Sequence, residues 1–288
     1  MIRSSGLEPG VAPFTERTPR VSAARRLTRR AERDKTGRFL AEGANALECA
    51  IDLAGRHPRA INEVFVTERF ATRNADLLAR VAQVGARVSL VTESAAAALS
   101  ETVTPQGVIT VCELLDRSLA EALHGAPTLV AVLVGITDPG NAGTVLRVAD
   151  AAGADAVLFA GDSVDPYNGK AVRASAGSLF HLPIARSRAI PDVLAACTAA
   201  GLRLVAADAH ATDDLDDAAD NGLLAEPTAW LFGSEAHGLD EATARAAQTA
   251  LRVPIHGAAE SLNLATAAAV CLYASARSQR GRNAGATR

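Results

Sequence analysis

The feature that most constrains this chain is an alternation, sustained through its second half, of short and largely apolar runs with segments of helical periodicity. Strands are expected at 129–136, 156–160, 181–184, 202–206, 229–232 and 251–255, with helices between them. A strand that is apolar at every position, rather than at every second one, has both faces covered. Crossover helices supply that cover, so the reading is an α/β domain built on a largely parallel sheet. The front half repeats the rhythm on a smaller scale: a helix from Arg20, a strand at 39–41, a helix at 44–53, strands at 61–66 and 87–91 flanking a helix at 71–84, and a closing strand at 107–112. The expected organisation is a disordered leader at 1–16, an α/β domain at 17–113, a linker at 114–127 around Gly125 and Pro127, and a second α/β domain at 128–288. No internal repeat is visible.

Composition narrows the function classes. The chain is 49% apolar but only 3% aromatic, so its cores must fit small side chains tightly and large stacking platforms for bases are not expected. The start has no apolar stretch of signal-peptide type, and the Ala-rich run at 264–276 falls short of the roughly 20 residues of a membrane span, so a cytoplasmic protein is expected. Four cysteines lie far apart without metal-ligand or redox spacing and read as free, buried thiols; no metal is expected. The net charge of −3 argues against a uniformly basic nucleic-acid binder. The charge is nonetheless segregated: Arg17, Arg20, Arg25, Arg26, Arg29, Arg30, Arg33, Lys35 and Arg38 crowd one segment, and Asp208, Asp213, Asp214, Asp216, Asp217 and Asp220 another. Either cluster alone is also what a solvated face looks like.

Three strand-end segments could carry chemistry. In the first, Gly135 to Arg147, the chain leaves a strand through Pro139-Gly140 and enters a helix that Asn141 could cap, with Arg147 further along it. In the second, Gly233 ends a strand, Glu235 follows within two residues, and Gly238 closes the turn. In the third, Arg252 to Leu264, Pro254 ends a strand and Ser261 or Asn263 could cap a small-residue helix. Each alone is ordinary: a helical Arg is usually solvated, and Gly-flanked turns with a Glu are common. Strand ends are, however, where open α/β sheets bind ligands.

Taken together, in this order and spacing, the blocks resemble the SPOUT superfamily of RNA methyltransferases, and within it the TrmH-like ribose 2'-O-methyltransferases. Asn141, Gly143 and Arg147 match the family's first motif, Gly233, Glu235 and Gly238 its second, and Ser261, Leu262 and Asn263 its third. The resemblance implies a C-terminal domain with a deep trefoil knot, S-adenosylmethionine as cofactor held around Gly233, Val253, Ile255 and Leu262, and a homodimer. It implies catalytic roles for Arg147, Glu235, Asn263, Ser261 and Asn141. The family gives proton removal to the Arg147 position, but guanidinium is normally protonated, so Arg147 is expected either to orient the hydroxyl and its adjacent phosphate or to act as base only when strongly perturbed. Arg173 falls where relatives keep a second functional Arg and is expected to anchor RNA phosphate. Arg38 to Gly43 resembles the opening of an L30e-like RNA-binding domain, which extends the expected RNA surface to Arg25, Arg26, Arg29 and Arg38. The activity expected is methylation of a ribose 2'-hydroxyl in rRNA of the 23S type. The alternatives are a tRNA 2'-O-methyltransferase and a catalytically silent RNA-binding or ribosome assembly factor; a small-molecule enzyme using a phosphate loop has no Gly-rich strand end to support it.

Overall fold

A computed structural model describes residues 12–285, with side chains through residue 281. The chain forms two compact units: the first contains the residues up to Leu115 together with Asp165–His181, and the second contains Asp116–Val164 and the residues from Leu182 onward.

The first unit is built on a sheet of β1 (Arg38–Glu42), β2 (Ile61–Val66), β3 (Arg87–Leu90) and β4 (Val108–Glu113), in the order β1-β4-β2-β3. β4 is antiparallel to both neighbours, while β2 and β3 are parallel. The helix expected at 71–84 is broken: Asn74 separates Glu68–Arg73 from Ala75–Gln83, and its side chain donates to the Phe70 carbonyl at 2.9 Å, competing with helix continuation. The expected leader also ends early. Residues 1–11 lie outside the described residues, but Phe14 donates its N–H to Leu90 O at 2.8 Å, bridges Val91 and packs on the apolar cluster of Val21, Phe65 and Ile109.

Asp165–His181 is the larger departure, because the sequence reading gave everything from 128 onward to the second domain. Its Tyr167 and Phe180 rings lie 4.8 and 6.0 Å from the Phe39 ring of β1, an aromatic cluster in a chain otherwise poor in them. Asp165 is 3% exposed and meets the equally buried Arg33 at 2.7 Å, and Arg33 also donates to the Leu27 and Thr28 carbonyls. A carboxylate this deeply buried needs such a partner, and Arg33 supplies it from within this unit. Arg33 is therefore a structural member of the Arg-rich segment, not a solvated one.

The second unit carries β5 (Leu129–Val134), β6 (Ala156–Ala160), β7 (Ile184–Ser187), β8 (Arg203–Ala207), β9 (Asp213–Asp214), β10 (Thr228–Phe232) and β11 (Thr249–Arg252). They form one parallel sheet in the order β7-β6-β5-β10-β8-β11-β9. β5, β6 and β10 are buried at every position, as continuous apolar runs require. The sheet grows outward from β5 through β6 to β7, then resumes on β5's other side, where β10 sits between β5 and β8. Such a reversal leaves a crevice at the carboxyl ends of the flanking strands.

Details differ from expectation for local reasons. β7 begins at Ile184 rather than 181, because a short 3-10 turn at Ser178–Phe180 runs into Pro183. β11 stops at Arg252, since Pro254 has no N–H for the ladder. The expected linker is structured: a capping box of Ser118 and Glu121 starts the helix Leu119–Ala122, whose Ala122, with Leu123, is buried in the second unit's core. Helix Pro139–Ala152 packs against the C-terminal helix Leu264–Gly285, and the fully buried Trp230 donates to Ser275 Oγ of the latter at 2.9 Å. No helix among the described residues is long and apolar enough to cross a membrane. Of the cysteines, Cys112, Cys197 and Cys271 are buried as expected while Cys49 is only half-buried; burial pushes the Cys197 and Cys271 thiols up to about 12, too high for thiolate chemistry near neutrality.

Candidate functional site

The crevice predicted by the strand order holds a polar chain linking the three segments singled out from the sequence. Asp138, rather than Asn141, caps helix Pro139–Ala152, accepting the Asn141 N–H at 2.8 Å. That leaves the Asn141 side-chain amide free to work across the crevice: it donates to Glu235 Oε1 at 2.9 Å and accepts from Asn263 Nδ2 at 3.1 Å. Glu235 Oε2 accepts from the Thr137 N–H and hydroxyl, both at 3.4 Å. Asn263 Oδ1 accepts the N–H groups of Ala265 and Thr266 and so caps the C-terminal helix, one of the two caps the sequence allowed.

Partial burial pulls the Glu235 carboxyl upward, but hydrogen bonds from the Asn141 amide and from the backbone of Glu235, Thr137 and Asp138 outweigh it. They hold the carboxyl below its ordinary value. A carboxylate that is ionised and already hydrogen-bonded on both oxygens is a fastener for the loops and a poor proton acceptor.

The loop after β10 is shaped by its glycines. A Cβ on Gly233 would stand 2.2 Å from the Gly238 carbonyl carbon and 2.4 Å from the Leu239 nitrogen, so no other residue fits without moving backbone. Ser234 and Gly238 exchange N–H to carbonyl hydrogen bonds of 3.0 and 2.9 Å, and Gly238 takes a φ of +66° to close the turn. Glu235, Ala236 and His237 stand exposed on the resulting knuckle.

Beside this knuckle lies a cavity of about 1000 Å³, lined by the ends of β8, β10 and β11 and by residues 260–264. Gly233, Val253, Ile255 and Leu262, the expected cofactor contacts, all line it, as do Glu235, Ser261 and Asn263. Val253 and Ile255 reach the cavity because β11 has ended before them. The sequence reading missed Ala206 to His210 at the end of β8; applying the strand-end rule to 202–206 would have found them. Its charged lining residues are Asp208, Glu235 and Glu260 against Arg252. Apolar walls, exposed backbone at a glycine loop and an excess of carboxylate suit S-adenosylmethionine, a nucleoside whose sulfonium and ammonium together outweigh its carboxylate. The residues present therefore fit that cofactor.

Asn141 is outside the cavity lining and meets it through Glu235 and Asn263, and neither Arg147 nor Arg173 is brought into it. Arg147 is exposed on helix Pro139–Ala152, makes no side-chain hydrogen bond or ion pair among the described residues, and is absent from the cavity lining. Arg173 belongs to the first unit, where it is part-buried and 3.5 Å from Glu101. Arg25, Arg26, Arg29 and Arg38 are exposed there, Arg26 lying 3.6 Å from Glu32. Among the described residues no cluster of His, Cys, Asp and Glu could hold a metal ion.

Comparison with known proteins agrees with this geometry. Residues 128–273 match the SpoU rRNA Methylase family, and residues 18–110 match the MRM3-like substrate binding domain. The chain is 34% identical, over 86% of its length and 92% of the relative's, to the 23S rRNA (guanosine(2553)-2'-O)-methyltransferase of Bacillus subtilis. A crystal structure of an AdoMet-bound rRNA methyltransferase from Sinorhizobium meliloti superposes with a TM-score of 0.78 at 30% identity, covering 92% of this chain and 97% of that one. The SpoU methyltransferase AviRb from Streptomyces viridochromogenes, in complex with AdoMet, gives a TM-score of 0.78 at 29% identity, covering 92% of this chain and all of that one (100%). The glycine loop, the three-segment polar chain and these matches together place the chain in the SpoU family of RNA methyltransferases, with S-adenosylmethionine as its cofactor.

Proposed function

We propose that this protein methylates a ribose 2'-hydroxyl of 23S rRNA, with the cofactor held in the cavity at the ends of β8, β10 and β11. The observation that carries the reading is the convergence of Asn141, Glu235 and Asn263 into one hydrogen-bonded chain at the rim of that cavity. The names of full-length relatives such as the Bacillus subtilis enzyme point to 23S rRNA and to the 2'-oxygen.

When bound, the sulfonium supplies the electrophilic methyl group. The protein's share of the reaction is to place the hydroxyl oxygen in line with it and to balance the shifting charge. The glycine knuckle and the backbone near Val253 and Leu262 would hold the nucleoside, while the Glu235–Asn141–Asn263 chain keeps the three segments in register. Ser261, exposed at the rim, offers a neutral hydrogen bond to the incoming ribose. Arg147, charged and uncommitted, would orient the hydroxyl and its neighbouring phosphate.

A homodimer belongs to this reading. Arg147 is outside the lining of its own chain's cavity, and the C-terminal helix exposes Val270 and Tyr273, at 38% and 52%, as an apolar strip suited to a second copy. The trefoil knot is likewise part of it, as the topology that would bring the segments after β10 and β11 around one cofactor. RNA would be engaged through Arg25, Arg26, Arg29, Arg38 and Arg173, at a cytoplasmic site of action.

The test is incubation of the purified protein with radiolabelled S-adenosylmethionine and either 23S rRNA or tRNA, followed by mapping of alkali-resistant linkages. Label at a ribose of 23S rRNA is expected. Label confined to tRNA, or to bases, would overturn the assignment.

A further inference from the structure

Among the cavity's carboxylates, Glu235 is spent on Thr137 and Asn141, and Glu260 lies eight residues beyond the end of β11, away from any strand end. Asp208 is different. It is one step past the end of β8, and Phe232 of β10 pairs in register with Ala207, so Asp208 and Gly233 are the first residues beyond the paired ends of adjacent parallel strands. Strands in a sheet lie about 4.8 Å apart, roughly the reach of a ribose ring. On its other side Asp208 donates its N–H to Leu251 O at 3.0 Å, which fixes its backbone to β11. Its Oδ1 accepts the His210 N–H at 2.9 Å, which fixes the carboxylate and leaves Oδ2 without a hydrogen-bond partner among the described residues.

A glycine turn at one strand end with an anchored carboxylate at another is how nucleotide-binding α/β sheets hold a ribose: the backbone approaches closely at the glycines and the carboxylate accepts from the hydroxyls. We propose that Asp208 holds the ribose hydroxyls of the cofactor's nucleoside and is thereby a specificity-determining residue of this site. In the sequence Asp208 is only the first member of an Asp-rich stretch; its place on the cavity separates it from Asp216, Asp217 and Asp220, which lie on the helix Leu215–Asp220.

The proposal rests on the cofactor occupying this cavity, and the experiment separates the two. Isothermal titration would measure binding of S-adenosylhomocysteine and of its 2',3'-dideoxy analogue to the full-length wild type, to Asp208→Asn and to Asp208→Ala, with thermal unfolding run on each. Asp208→Asn keeps the oxygen that accepts from His210 and removes only the charge. The expected result is a loss of about 10- to 100-fold for S-adenosylhomocysteine, the scale of a hydrogen bond to a charged group, with the dideoxy analogue binding wild type and variants nearly equally. Equal losses for both ligands, or none for either, would overturn the role of Asp208. Failure of the wild type to bind S-adenosylhomocysteine would instead bring down the placement of the cofactor, and this proposal with it.

Discussion

Gly233→Ala is the substitution whose consequence can be worked furthest. The added methyl would sit 2.2 Å from the Gly238 carbonyl carbon, 2.4 Å from the Leu239 nitrogen and 2.5 Å from the Gly238 oxygen. Ordinary contact begins near 3.4 Å, so the backbone must open by roughly 1.2 Å, and all of the obstructing atoms are main chain. Opening by that much stretches the reciprocal Ser234–Gly238 hydrogen bonds, now 3.0 and 2.9 Å, beyond bonding range. Two lost bonds at about 1 kcal/mol each give a local cost near 2 kcal/mol, or a fall of about 4–8 °C in the melting temperature of a domain this size. The effect on function should be larger, because the displaced residues line the cavity proposed to hold the cofactor, and titration with S-adenosylhomocysteine should show at least a 100-fold loss of affinity. The series carries its own controls. Gly238→Ala meets no atom within 4 Å but must hold a φ of +66°, costing about 1–2 kcal/mol. Gly257→Ala also meets nothing within 4 Å and carries no positive φ, so it should be silent. A Gly233→Ala protein that bound the cofactor like wild type, or a Gly257→Ala that suffered equally, would refute the reasoning.

Four further outcomes are expected. Asn141→Asp replaces the donor facing Glu235 with a second carboxylate while keeping the acceptor for Asn263; methyl transfer should fall by 10-fold or more by the cost of facing like charges, and Asn141→Ser should be milder, both read by label incorporation. Arg147→Ala should lower transfer about 100-fold or more while cofactor affinity, measured by titration, stays unchanged, since Arg147 does not line the cavity. Because the folded Glu235 carboxyl titrates below its ordinary 4.5, its contribution is complete above that value and is lost as pH falls through the folded value; the acid limb of the loop's stability, followed by amide exchange at 233–239, should move up in pH in Asn141→Ala. Arg33→Met takes the guanidinium away from the buried Asp165 carboxylate and should destabilise the first unit by about 3–5 kcal/mol, with much of this recovered in Arg33→Met/Asp165→Leu, as judged by denaturant unfolding.

β5, β6 and β10 were legible because an unbroken apolar run between turn residues has few other uses, and three strand-end segments were legible because glycines and short polar side chains cluster there. The N-cap of helix Pro139–Ala152 was misread: both Asp138 and Asn141 are good caps, and only the backbone showed that Asp138 takes the role and frees Asn141 to reach Glu235, 94 positions away. Arg33 and Arg29 look alike in the sequence, yet one is buried against Asp165 and the other exposed, a distinction created by a partner 132 positions distant.

The sequence by itself determined what depends on near neighbours: periodicity, turn chemistry, and the clustering of glycines and short polar side chains at three strand ends. Tertiary structure decided what depends on non-local pairing. It seated β10 between β5 and β8, and so created the crevice. It assigned Asp165–His181 to the first unit through Phe39 and Arg33, and it put Asp208 and Gly233 just past the paired ends of β8 and β10. The physical reason is that apolar patterning fixes which face of an element is covered but carries no term for which of several equally apolar strands lies alongside. That choice is made when buried polar groups such as Asp165, Asn141 and Glu235 find the partners without which burial would cost too much.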